Sequence, residues 1–377
     1  MVKNKKIRST NIEILRIVAM LMIVIFHIVC HCISVQLVGG DSVIKIGNDL
    51  FNNPVFSKRL FLLDAIMTWG TTGNALFVLI SGYFLVHSKK GIDIHKISKK
   101  LLLQLGFASV VLVAFSTLIY RIHVTNRFIR LIDINLFNSL SWFIGYYFLV
   151  ILIAYLFLNK YLNKFNKKQY ITFLIIVFAL TQFGWTNQIV NGFSDGLSTL
   201  LTGVFYYSLG GYINKYNPFS NVRVISILLI IVIIYLLVFI SSYNLAAIRI
   251  ENYYINPANG FTQNVMTFGN SNILVAILSI CIFELFTRVK IKNIRFINYV
   301  ASGTLMIYLI HDNPLFYSLW GMIDWISLLY YNLPKFIIAL IGVGLLTFMF
   351  GIIVYVFFDL TIKLIVKYKN LFLKKTN

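Results

Sequence analysis

Charge is scarce in this sequence, and so are cysteines and repeated segments. Only 12% of the 377 residues are charged, against about 25% in an average soluble domain. The 3 cysteines do not support a disulfide framework, and neither an internal repeat nor a low-complexity tract is present. Because hydrophobic residues make up 59% of the chain, the composition excludes an ordinary soluble protein. It indicates a polytopic membrane protein within a lipid bilayer.

The net charge of +21 raises the question of nucleic-acid binding. The Lys and Arg residues, however, lie in short clusters between apolar runs, which is the pattern of cytoplasmic loops in membrane proteins. We therefore expect no nucleic-acid partner.

Ten apolar segments have the length and composition of transmembrane helices, and no mixed polar stretch approaches the roughly 50 residues that a soluble domain needs. We therefore predict an all-α fold with about ten transmembrane helices. Residues 1–377 are expected to form a single transmembrane domain with no soluble domain, and the first apolar run to be a retained span. The predicted spans are 12–36, 64–86, 101–120, 140–158, 170–186, 197–213, 223–241, 271–287, 299–320 and 335–358.

The distribution of Lys and Arg predicts the orientation. With the N-terminus inside, basic residues in the inner segments outnumber those in the outer segments by about three to one. Both termini are therefore predicted to be cytoplasmic. The abundance of Lys, Asn and Ile favours a bacterial source, so the expected location is the bacterial cytoplasmic membrane.

The first span carries a polar stripe. His27 follows Arg16 by eleven residues, which places the two within about 20° of each other on a helix and about 16 Å apart along its axis. His31 and Ser34 lie on the same side. Since ionisable groups inside a bilayer are unfavourable by roughly 2.5–3.5 kcal/mol on insertion scales, this stripe is expected to face a cavity or other helices.

The two residue types point to chemistry. Arginine presents five fixed donors to a phosphate or carboxylate, and histidine serves as a general base near neutral pH. Two plainer interpretations stay open: Arg16 as a topology anchor paired with Glu13, and His27 as a hydrogen-bonding group between helices. His27, Cys30 and His31 have a spacing that metals use, but a fourth ligand is not evident, so no metal is predicted.

Four short motifs, in order along the chain, resemble those of the membrane acyltransferase-3 family. They are Glu13-x-x-Arg16 followed by His27, then Phe77-Val-Leu-Ile-Ser81-Gly82-Tyr83, then Ser141-Trp142-Phe143, and finally Tyr308-Leu-Ile-His311. Each motif is weak alone, but the set spans most of the chain.

The resemblance implies an integral-membrane O-acyltransferase with no permanently bound cofactor. Such an enzyme moves an acyl group, commonly acetyl, from cytoplasmic acyl-CoA to a hydroxyl of a cell-surface or lipid-linked polysaccharide. Arg16 and His27 take the places of the family's essential pair. Lys96 and Lys99 stand where the family has an Arg-x-x-Arg motif, and a lysine meets phosphate as a point charge rather than as a bidentate fork.

The remaining candidates divide between the two substrates. The donor-binding candidates are Glu13, Ser81, Gly82, Lys96 and Lys99, and the acceptor or cavity candidates are His31, Trp142, Tyr308, His311 and Asp312. Tight helix packing is an equal alternative for Ser81 and Gly82, and an interfacial position is an alternative for Trp142. The interruption His311-Asp312-Asn313-Pro314 favours a cavity over a simple kink.

A second hypothesis is a transporter or flippase for lipid-linked glycans without acyl transfer. It would hold lipid diphosphates with the same basic residues and would need no acyl-CoA. Within the enzyme hypothesis, the sequence leaves open whether His27 is a general base or carries the acyl group. It also leaves open whether the acyl group is acetyl, succinyl or another.

Overall fold

The computed structural model of the chain describes residues 9–37, 54–122, 142–182, 191–255 and 268–375. Within these ranges every regular element is a helix, which confirms the predicted all-α class. The helices are α1 (Thr10–Leu37), α2 (Pro54–Leu85), α3 (Ile94–Ile122), α4 (Trp142–Lys164), α5 (Lys167–Gln182), α6 (Asn191–Tyr216), α7 (Val224–Ile255), α8 (Ile273–Arg288), α9 (Arg295–Ser302), α10 (Thr304–His311), α11 (Pro314–Trp320), α12 (Trp325–Tyr331) and α13 (Leu333–Lys375).

Six of these helical segments are long and apolar enough to cross a membrane. They lie in α1, α2, α3, α4, α7 and α13. The other four predicted spans fall on helices that are shorter, less apolar or broken: α5 and α8 have only 16 residues each, and the span predicted at 299–320 is divided among α9, α10 and α11. The chain is therefore a multi-pass membrane protein, while the number of ten spans stays a prediction.

Helix α2 lies at the centre of the bundle and packs against α1, α6, α7 and α8. Its contact with α6 is a close approach of two backbones. A Cβ atom on Gly82 would lie 1.8 Å from the carbonyl oxygen of Tyr207, and one on Gly210 would lie 2.1 Å from the carbonyl oxygen of Leu79. Because apolar surface gives helices no driving force to associate within lipid, such small-residue contacts are a main source of helix packing there.

Two apolar cores meet in the bundle. One joins the C-terminal half of α1 and the N-terminal half of α2 with α3, the start of α4 and α10 to α13. The other joins the N-terminal half of α1 and the C-terminal half of α2 with α4, α5, α6 and α8. Phe77 and Tyr147 pack against both cores. Phe77 and Tyr147 also line a cavity together with Arg16, the first residue of the polar stripe of α1. The two cores therefore meet at the level where that stripe begins.

The segment between residues 295 and 331 is a chain of four short helices. One break follows directly from the sequence: the Asn313 side chain accepts a hydrogen bond from the backbone N–H of Leu315, and Pro314 takes the first helical position of α11. Both features are typical of a helix start. As a result Asp312 leaves the helical conformation, with ψ at 68°.

Helix α1 is not a regular α-helix throughout. Residues Val29–Ile33 form a π-helical turn that begins two residues after His27. Such a turn inserts an extra residue into the helix and is often found at functional sites. The 100° spacing assumed for the polar stripe therefore holds from Arg16 to His27 and changes beyond it, at His31.

Candidate functional site

The π-helical turn of α1 and the break between α10 and α11 bring together residues that are far apart in the sequence. His27, on α1, meets His311 and Asp312, at the end of α10. His27 is only 8% exposed, and His311 is fully buried. The polar stripe of the first span therefore faces the interrupted ninth span, as expected for ionisable groups that avoid lipid.

The hydrogen bonds of this cluster set the protons on the two histidines. His311 Nδ1 lies 2.9 Å from the carbonyl oxygen of Ile307, which can only accept, so this nitrogen donates. In a neutral ring His311 Nε2 is then an acceptor, and it lies 2.9 Å from His27 Nδ1, which must donate to it. The hydrogen-bond network therefore leaves the lone pair of His27 on Nε2.

Asp312 adds a negative charge beside the histidines. Its Oδ1 lies 3.8 Å from His27 Nδ1. Two tyrosine hydroxyls hold this carboxylate: Tyr308 donates to Oδ2 at 3.1 Å, and Tyr317 donates to Oδ1. A proton taken up by His27 would therefore be stabilised by a carboxylate whose position is fixed by hydrogen bonds.

A metal site is the alternative use of the same groups. Among the described residues, His27, His31 and Asp312 place one ligand atom each within 4.8 Å of one another, whereas Cys30 is not part of the group. Three ligands with an open position would suit a catalytic zinc ion. However, His27 Nδ1 and both carboxylate oxygens of Asp312 already contact protein groups, so the arrangement supports proton transfer better than metal binding.

A cavity of about 240 Å³ leads from the N-terminal part of α1 toward this cluster. Arg16 and Lys100 contribute positive charge to its lining, and Phe77 and Phe143 contribute apolar surface. Tyr308 also lines the cavity, and its hydroxyl is the one that binds Asp312. Tyr308 therefore touches both the cavity and the histidine cluster, although the histidines themselves are not among the residues that line the cavity.

Arg16 makes the ion pair with Glu13 that its sequence position left open, and it also lines the cavity, whereas donor binding by Arg16 stays a prediction. Its Nη1 lies 3.1 Å from each carboxylate oxygen of Glu13, which is buried. Its guanidinium also lies over the ring of Phe84, 5.9 Å from the ring centre. Glu13 thus holds Arg16 from one side, while Arg16 lines the cavity with a side chain that is 26% exposed.

Of the other donor candidates, only Ser81 lines the cavity. Ser81 lines the cavity, and its hydroxyl lies within hydrogen-bonding distance of Phe77 O and Tyr147 Oη. Gly82 lies against the backbone of α6 at Tyr207, the packing role that its sequence position left open. Lys96 and Lys99 are exposed and do not line the cavity, whereas Lys100 does. Donor binding by Gly82, Lys96 and Lys99 stays a prediction.

The acceptor candidates also separate in space. The ring of His31 stacks on that of Tyr317, with the ring centres 4.1 Å apart, so His31 belongs to the cluster. Trp142 is exposed at the start of α4 and contacts the rings of Phe143 and Tyr146. Sequence reasoning missed Tyr317, because it follows the break in the ninth span and belongs to no recognised motif.

The comparison with protein-family models gives an independent result. A model described as an acyltransferase domain, of the acyltransferase-3 type, matches residues 9–358, which is nearly the whole chain. No curated protein and no solved structure was found to match. The matched region contains the cavity and the histidine cluster, and its helices include six that are able to cross a membrane. The chain is thus a membrane-embedded O-acyltransferase and belongs to the acyltransferase-3 family.

Proposed function

We propose that this enzyme transfers an acetyl group from cytoplasmic acetyl-CoA to a hydroxyl of a cell-surface or lipid-linked polysaccharide. The observation that carries the proposal is the connection of one basic cavity to one histidine cluster through Tyr308. Coenzyme A carries phosphates at one end and the acyl thioester at the other. A site with positive charge at one end and a general base beyond the other end suits such a donor.

The donor's phosphates are assigned to the end of the cavity lined by Arg16 and Lys100. The excess of Lys and Arg in the predicted inner loops supports a position of this end at the cytoplasmic face, where acyl-CoA is made. The apolar rings of Phe77 and Phe143 would then flank the arm that carries the thioester. The eleven residue steps of helix from Arg16 to His27 correspond to about 16 Å, so a long flexible arm is required to reach the histidine.

In the proposed reaction His27 Nε2 takes the proton of the acceptor hydroxyl. The oxygen attacks the thioester carbonyl, the C–S bond breaks, and the proton ends on the CoA thiol, so that the products are an ester and free CoA. Asp312 and His311 stabilise the positive charge that His27 carries meanwhile. A covalent acyl-histidine route would need a second base for the acceptor, so we assign His27 the role of base.

We further propose that the acceptor approaches from the outer side of a bacterial cytoplasmic membrane, with both termini of the chain in the cytoplasm. The enzyme then needs no permanently bound cofactor and no metal, and its other partners are the lipid bilayer and the glycan. A reaction centre within the bilayer suits two substrates that arrive from opposite faces.

The test compares ester groups on surface glycans from cells that carry the wild-type protein, the His27→Ala variant or neither. Alkali-labile acetate is measured by mass spectrometry, after immunoblotting has shown equal amounts of both proteins in the membrane. Acetate is expected with the wild type only. An alanine variant that adds as much ester as the wild type would contradict the proposal.

The same cells also test the transporter hypothesis. If glycan appears at the surface only when the chain is present, but carries no additional ester, then export rather than acyl transfer is the function. Our proposal predicts the opposite result: unchanged glycan export and loss of the ester alone.

A further inference from the structure

Helix α3 carries a buried amide that the site described so far does not use. Gln104 is fully buried. Neither its Oε1 nor its Nε2 has a hydrogen-bond partner among the residues that the structure describes. Leaving both halves of a buried amide unpaired is unfavourable, and such a group calls for an explanation such as a ligand.

The position of Gln104 points to the cavity. Ile97, Lys100 and Leu101, on the first turns of α3, line the cavity. Gln104 follows Ile97 by seven residues, so it lies within about 20° of it on the helix. Gln104 is not itself among the residues that line the cavity, but by helix spacing it lies on the cavity-lining face of α3, one turn and about 6 Å further along the axis than Lys100.

Helix α10 packs against α3, and the first turns of both helices line the same cavity. Its first turn carries Thr304 and Leu305, which line the cavity, and its next turn carries Tyr308, which contacts Asp312. By its position on α3, Gln104 thus lies at the level of the bundle between the positive charges of the cavity, Arg16 and Lys100, and the histidine cluster. A donor that reaches from one to the other has to pass this level.

We propose that Gln104 is a donor-positioning residue whose side-chain amide pairs with an amide of the pantetheine arm of the acyl donor. This inference rests on the proposed use of acyl-CoA. A glutamine offers one acceptor and two donors, which complement the C=O and N–H of an amide. The arm of coenzyme A contains two amides between its phosphates and its sulfur, whereas Arg16 and Lys100 can serve only the phosphates.

The experiment uses the purified full-length Gln104→Leu variant, with Ser116→Ala as the matched control. Ser116 is a second buried polar residue of α3, but its hydroxyl donates within the helix to Val113 O. Rates are measured with acetyl-CoA, with S-acetyl-N-acetylcysteamine, which keeps one amide, and with an acetyl thioester of a simple alkanethiol, which has none. The melting temperature of each protein is measured without donor.

For Gln104→Leu we expect KM for acetyl-CoA to rise about tenfold, the effect of losing two ordinary hydrogen bonds, with kcat changed much less. The preference for S-acetyl-N-acetylcysteamine over the alkyl thioester is expected to fall to near unity, while Ser116→Ala keeps the wild-type preference. The melting temperature of Gln104→Leu should not fall, because a leucine leaves no polar atom unpaired.

A lower melting temperature with an unchanged KM would overturn the inference and make Gln104 a structural residue. A wild-type preference retained by Gln104→Leu would also overturn it, while the proposed function would stand as long as both proteins transfer acetyl from acetyl-CoA. If the wild-type protein itself transfers nothing from acetyl-CoA, the proposed function fails, and this inference fails with it.

Discussion

Replacing His27 by alanine is expected to lower kcat for acyl transfer by roughly 10²- to 10⁴-fold, the range that a positioned general base contributes. The hydrogen bonds from His27 Nδ1 to His311, and from His311 to Ile307 O, leave the lone pair on Nε2. Alanine removes that lone pair and offers no substitute. The measurement is the rate of thiol release from acetyl-CoA in the presence of acceptor, with purified protein.

His311 acts through His27, so its variant has a different expected pattern. His311→Ala should lower kcat less than His27→Ala does, because the base remains but its tautomer is no longer fixed. The double variant should be no slower than His27→Ala alone, since residues that act as one unit are not additive. If the losses in kcat multiply in the double variant, His311 does not act through His27. The matched control is His95→Ala, because His95 is an exposed histidine of α3.

Replacing Gly82 by alanine is expected to destabilise the folded protein by at least about 1–3 kcal/mol, the usual range for overpacking. The new methyl carbon would lie 1.8 Å from the carbonyl oxygen of Tyr207. That atom belongs to the backbone of α6 and cannot turn away as a side chain would, so α2 and α6 must separate. The measurement is the melting temperature in detergent, together with the yield of folded protein.

Gly106 provides the control for this prediction. It lies on an exposed face of α3, and a Cβ atom there would meet nothing within 4 Å. Gly106→Ala should therefore raise stability slightly, by about 0.5–1 kcal/mol, through the higher helix propensity of alanine. If Gly82→Ala melts at the same temperature as Gly106→Ala, the close contact between α2 and α6 is not as described.

The sequence was sufficient to predict the helical class and to identify the pairing of Arg16 with Glu13 as one of two alternatives, because both follow from local spacing. It also located the break after His311, where Asn313 and Pro314 start a new helix. The number of ten spans stays a prediction, because it depends on the shorter and more polar helices. Helices such as α5, with 16 residues, or α6, with several polar residues, do not carry enough apolar length to identify a span on their own.

Several individual residues of the candidate site could be predicted from the sequence, but the contacts between them could not. His27 and His311 were both identified from motifs, yet their hydrogen bond depends on how α1 packs against α10, and no local pattern encodes that packing. The π-helical turn at Val29–Ile33 was also missed, because it changes the helix without changing its hydrophobic pattern. Lys100 was less prominent in the sequence than its neighbours Lys96 and Lys99, although only Lys100 lines the cavity.

The central claim is that donor and acceptor meet at His27 from opposite faces of the membrane. The most direct test supplies radiolabelled acetyl-CoA, which does not cross a bilayer, to sealed vesicles made from cells that contain the protein. Inside-out vesicles should form alkali-labile labelled glycan, whereas right-side-out vesicles should do so only after permeabilisation, and His27→Ala vesicles should form none. Labelled ester formed by sealed right-side-out vesicles, or its absence from inside-out ones, would contradict the account.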